Sequence, residues 1–121
     1  MAGLSTEQAD VIVVGGGLSG LVAATEIADA GKRAAFDAWY RDEHLPDAAK
    51  SFAAEKAWRG WSESDPAVHV AFYQFADRAA LYRGTAPDVI KRLVADFDKA
   101  WSGVPRSREI MTVVDAIPQS D

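Results

Sequence analysis

Phe36-Asp37-Ala38-Trp39-Tyr40-Arg41-Asp42-Glu43-His44-Leu45-Pro46 is the stretch on which the reading of the fold turns. Ala35, Phe36, Trp39, Tyr40 and His44 recur at helical spacing and mark one face of a helix. Asp37, Arg41 and Asp42 fall on the other face. Pro46 disfavours helical backbone at Leu45, so the helix is expected to end there. Residues 47–53 fit either a further helical turn or a loop.

Beyond that stretch the pattern changes period. Residues 55–61 read as a strand, with Lys56, Trp58 and Gly60 on one face and Ala57, Arg59 and Trp61 on the other. A Ser-Glu-Ser-Asp-Pro turn follows. Val68, Val70 and Phe72 then alternate with His69, Ala71 and Tyr73, which predicts the second strand of an antiparallel hairpin. Residues 76–82 form a short helical piece. Pro87 suits the first turn of the next helix, whose Ile90, Leu93, Val94, Phe97 and Trp101 repeat at three and four. Residues 109–117 form the last strand.

Before the opening stretch, Val11-Ile12-Val13-Val14 reads as a buried strand. Leu18, Leu21, Val22, Ile27 and Ala28 follow at spacing that predicts a helix over 18–30, stopped by Gly31. The order strand, helix, strand, strand, helix, strand predicts an α+β fold: a four-stranded antiparallel sheet with helices on one face. The other face would be bare. Trp58 or Trp61, Phe72 or Tyr73, and Met111 are the candidates to lie on it, and a second copy of the chain is the expected cover.

Composition narrows the function classes. The 121 residues suit one compact core. There is no cysteine, which excludes disulfides, thiolate metal sites and a cysteine nucleophile. A net charge of −5 without a basic run argues against nucleic acid and anionic membranes. No apolar run is long enough to span a bilayer and no signal peptide is visible, so a cytoplasmic location is expected. Two histidines without HxH or HExxH spacing give no metal site.

Two resemblances overlay this reading. Residues 10–33, with Gly15-Gly16-Gly17-Leu18-Ser19-Gly20 after an apolar run, resemble the opening of FAD-dependent dehydrogenases. That likeness implies a strand, a glycine turn and a helix N-terminus, with Gly15, Gly17 and Gly20 letting backbone approach a pyrophosphate. Residues 31–117 resemble the ferredoxin-like dimeric α+β barrel proteins of the EthD-like and antibiotic-biosynthesis-monooxygenase-like groups. The Phe-x-x-Trp-Tyr helix carries this second likeness. Gly31-Lys32-Arg33 belongs to both patterns, which reads as a fusion: a flavoprotein-like segment over 1–30 and a barrel domain over 31–121. Residues 11–14 would then replace the barrel's first strand.

The barrel likeness implies a homodimer with a small-molecule pocket between sheet and helices, where His-Tyr pairs act on aromatic or polyketide-like substrates without a cofactor. Tyr40 and His44, four apart, are the expected catalytic pair. An imidazole titrates near neutrality and a phenol orients it or donates a proton. The alternative is that His44 caps the helix end as a cation. Trp39, Trp58, His69 and Tyr73 are the expected substrate-binding residues. Arg106 and Arg108 either pair with acids in solvent or guard the pocket mouth. Two further readings remain: a flavoprotein fragment holding FAD through its glycines, and a non-catalytic dimerisation module.

Overall fold

The computed structural model describes residues 18–115 and 117. Four strands, β1 (Ser19–Glu26), β2 (Lys56–Trp61), β3 (Val68–Phe75) and β4 (Arg106–Thr112), form one antiparallel sheet in the order β2-β3-β1-β4. The helices α1 (Arg33–Trp39), α2 (Leu45–Phe52), α3 (Arg78–Gly84) and α4 (Pro87–Ala100) supply the other layer. This is the ferredoxin-like α+β arrangement that the sequence predicts.

The first strand departs from expectation. Ser19–Glu26 is a central strand bonded to β3 and β4, where the spacing predicted a helix. Its apolar residues satisfy two periods at once. Leu21, Ala23 and Thr25 alternate with Val22 and Ala24, and the demand for a strand between β3 and β4 selects the twofold pattern over the helical one. The expected strand over 11–14 lies outside the described residues. Gly20 sits within β1, and a Cβ there would stand 2.4 Å from the Phe72 ring. Glycine is what lets that ring lie across the strand.

The decisive helical stretch also runs differently. Asp29 accepts a hydrogen bond from the Gly31 amide and starts a short 3₁₀ turn, Ala30–Lys32, from which α1 continues. At Tyr40–His44 the backbone widens into a π turn, and the Leu45 amide donates to the Tyr40 carbonyl five residues back. Pro46 has no amide to donate, yet it fits the first turn of α2, where none is needed. The wide turn thus carries the helix past the proline rather than stopping at it. The run ends at Ala53, which adopts a left-handed backbone (φ 54°) and donates its amide to the Ala49 and Lys50 carbonyls.

The core lies between the helices and the inner face of the sheet. Phe36 is fully buried and packs within 5.2 to 6.1 Å of Trp39, Tyr40, Trp61, His69, Phe97 and Trp101. His69, Ala71, Tyr73 and Phe75 supply the floor from β3, and all are buried. Pairing register puts Trp58, Phe72, Val22, Val70 and Met111 on the opposite face. There Trp58 stacks on Phe72 at 4.5 Å and stays half exposed, at 50%. Of the residues named for the bare face, Trp58, Phe72 and Met111 lie on it, whereas Trp61 and Tyr73 face the helices.

Candidate functional site

A narrow cleft opens between the helices and the inner faces of β1 and β4. Leu21, Ala48, Phe52, Leu93 and Phe97 give it apolar walls, while Tyr40, His44, Tyr73, Arg106 and Arg108 supply its polar groups. The wide turn brings Tyr40 and His44 to the same place. Their rings meet edge to face at 4.9 Å, and His44 stacks on Trp39 at 4.8 Å. The Tyr40 and Tyr73 hydroxyls lie 3.5 Å apart, at the outer limit of a hydrogen bond.

Burial sets the protonation of these groups. It pushes His44 down to about 4, against the opposing pull of the Asp47 and Asp96 charges, so the imidazole is neutral at pH 7. Burial raises Tyr40 and Tyr73 above the ordinary phenol value, so both keep their protons. His44 is therefore not the cationic helix cap of the alternative reading. It lies inside a continuous helical run and carries no charge. A neutral imidazole beside two protonated phenols can take a proton from a bound molecule and hydrogen-bond the oxyanion that results.

His69 belongs to a different cluster. Its ring lies 4.4 Å from Tyr40, but it is wholly buried and does not line the cleft. Arg59 donates to Asp37 at 2.7 Å and approaches His69 Nε2 at 3.3 Å, and the Trp61 indole also donates to Asp37. A guanidinium only donates, so His69 Nε2 accepts and the ring proton sits on Nδ1. Nδ1 is buried without a hydrogen-bond partner among the described residues. Burial first, then the Arg59 charge, pushes His69 down to about 4. Arg59 and Trp61 hold the Asp37 carboxyl below its usual value. Asp37, on the helix face away from Tyr40 and His44 in the sequence pattern, is thus a structural tie. No local signal marks this pairing across 22 residues.

The structure therefore gathers Tyr40, His44 and Tyr73 at one cleft. Trp39 stands behind His44 and also borders a shallow surface hollow with Glu43 and Asp47. Trp58 does not join them, because strand alternation sends it to the opposite face of the sheet. Arg106 pairs with Asp98 and lies over the Phe97 ring, and both Arg106 and Arg108 line the cleft.

Solved structures with this architecture come from several groups. A NipSnap family protein from Agrobacterium tumefaciens matches with a TM-score of 0.65 at 14% identity, covering 87% of this chain and 96% of its own. An EthD-like protein from Ralstonia eutropha matches with a TM-score of 0.61 at 13% identity, over 82% and 94%. SnoaB, a cofactor-independent oxygenase from Streptomyces nogalater, matches with a TM-score of 0.58 at 16% identity, over 84% and 98%. The fold is that of the antibiotic-biosynthesis-monooxygenase and EthD-like proteins. No curated protein matches the chain.

A family model described as an FAD binding domain matches residues 10–36. Within the EthD-like fold, the described part of that segment does not suit FAD. Gly20 lies inside a strand rather than at a helix N-terminus, and the Phe72 ring fills the space where its backbone would have to be approached. Gly15 and Gly17 lie outside the described residues. Among the described residues no group of carboxylates and histidines is arranged to hold a metal ion, and no helix is long and apolar enough to cross a membrane.

Proposed function

We propose that the cleft is the active site of a small enzyme that needs no cofactor. It works on an aromatic or polyketide-like molecule by proton transfer, with His44 as the base and Tyr40 as its partner. The observation that carries this reading is the neutral His44 in contact with Tyr40 at an open apolar cleft. The proton leaves an acidic C–H of the substrate for the free imidazole nitrogen. The electron pair moves onto the adjoining carbonyl oxygen, and Tyr40 and Tyr73 hydrogen-bond the enolate. Trp39 holds the imidazole plane by stacking. A base with so low a pKa takes a proton only if the enolate is well stabilised, which gives the two phenols their role. His69 acts in this reading from behind, by packing on Tyr40.

A second copy covers the outer face in this reading, because Trp58, Phe72 and Met111 form an apolar surface there. The mass of the protein in solution decides that part. The chemistry is tested with 2-tetralone in D2O, following loss of its α-protons by NMR. The wild-type protein is expected to speed exchange, and His44→Ala to lower that rate by about a hundredfold. Equal exchange with both proteins would sink the proposal and leave a non-catalytic dimerisation module.

A further inference from the structure

The chain carries a net charge of −5, yet no side chain lining the cleft is a carboxylate and two are guanidiniums. The acids near the cleft already have partners. Asp98 is held by Arg106 at 2.5 Å, and Asp47 and Asp96 are both held by Arg92, at 3.0 and 2.9 Å. Arg108 differs from its neighbours. It pairs across the sheet with Ala23, so strand alternation puts it on the cleft side of β4, while Glu109 points to the opposite face. Among the described residues Arg108 has neither a hydrogen-bond nor an ion-pair partner.

From this placement we infer that the cleft selects an anionic ligand: a flat apolar body seated against Phe97 and Tyr73, with a carboxylate or phenolate oxygen on Arg108. The inference rests on the cleft being the ligand site, and it adds the substrate class. Three features support it independently of the proposed chemistry. A cation at an apolar opening with no internal partner is satisfied by a ligand anion as well as by water. Arg106 meets the Asp98 charge and lies over Phe97, so that acid adds no repulsion toward an anion at the same mouth. The polar groups deeper in, the hydroxyls of Tyr40 and Tyr73, keep their protons, and with one donating to the other the second is left to donate to a ligand oxygen.

The test compares 2-naphthoate with the neutral 2-naphthamide, reading binding from the His44 ring signals by NMR. Naphthoate is expected to bind roughly tenfold more tightly, a preference that weakens with added salt. Arg108→Gln should abolish the preference without changing the amide's affinity, and Arg108→Lys should retain part of it. Equal binding of acid and amide, or an undiminished preference in a folded Arg108→Gln variant, would overturn the inference. So would a failure of both ligands to perturb His44. The 2-tetralone exchange separates the two ideas: exchange that depends on His44, with equal binding of acid and amide, leaves the enzyme reading standing and removes only the anion preference.

Discussion

The two histidines make a controlled comparison inside one molecule. Both touch Tyr40, at 4.9 Å for His44 and 4.4 Å for His69, and burial pushes both down to about 4. Their surroundings then part. His69 is sealed beneath Arg59, Asp37 and Trp61, with one nitrogen left unpartnered among the described residues, whereas His44 stands on an open cleft. A displaced pKa therefore marks burial at both ends of this layer and a candidate site at only one. Access to a ligand, not the size of the shift, separates the two.

The largest way to break the contrast is to remove what supports both ends. Phe36 packs on His69, on Tyr40 and on the aromatic cluster behind Trp39. Phe36→Ala is expected to cost about 3–5 kcal/mol in chemical denaturation. A loss within 1 kcal/mol would show that the two histidine environments are held independently of this ring.

A smaller, sharpening effect is expected from acid. Each histidine has its value lowered on folding, from 6.5 to about 4, so the unfolded chain takes up protons first as the pH falls. Stability is then full above about pH 6.5 and is lost progressively as pH drops toward 4. The Asp37 carboxyl, whose value is also lowered, adds its own loss below the ordinary carboxylate range. Denaturation midpoints across this window check the sum, and NMR titration of the two rings checks each term. A histidine titrating near 6.5 would remove that residue from the comparison.

The smallest effect on either histidine is expected from the far side of the sheet. Trp58→Glu places a charge in the apolar outer face and should convert a dimer to a monomer in sedimentation. The ring signals of both histidines should stay where they are, since among the described residues Trp58 stacks on Phe72 alone, across that face. An unchanged mass would mean that this face is not where two copies meet.

Most of the sheet and the last helix were legible in the chain. The alternation of Val68 to Tyr73 and the three-four repeat of Ile90 to Trp101 each satisfy one period only. Residues 19–26 satisfied two, and the choice between them was made by partners some 50 and 90 residues away. Leu45-Pro46 has the pattern of a boundary, but the rule about proline assumes that the preceding turn keeps its ordinary width. The candidate site was partly legible. Tyr40 and His44 share a local spacing, but Tyr73 joins them only through the fold, and the Asp37-Arg59 tie left no trace in spacing. Trp58 is kept from the cleft for a simpler cause: strand alternation divides residues between two faces but does not say which face the helices cover.

The wide turn at Tyr40–His44 holds one residue more than a regular turn, because the Leu45 amide reaches back five residues rather than four. That extra residue would otherwise advance the helix by about 100°. The slower winding absorbs it, so Phe36 and Tyr40 before the turn and Ala48 and Phe52 after it are buried on the same side of one run. Regular winding with every residue kept would swing the second pair out of its seat. Dropping one residue between Trp39 and Leu45 would restore regular winding with both pairs still seated. The segment tolerates a shorter chain better than a straighter one, since the bulge is what keeps its two halves in phase.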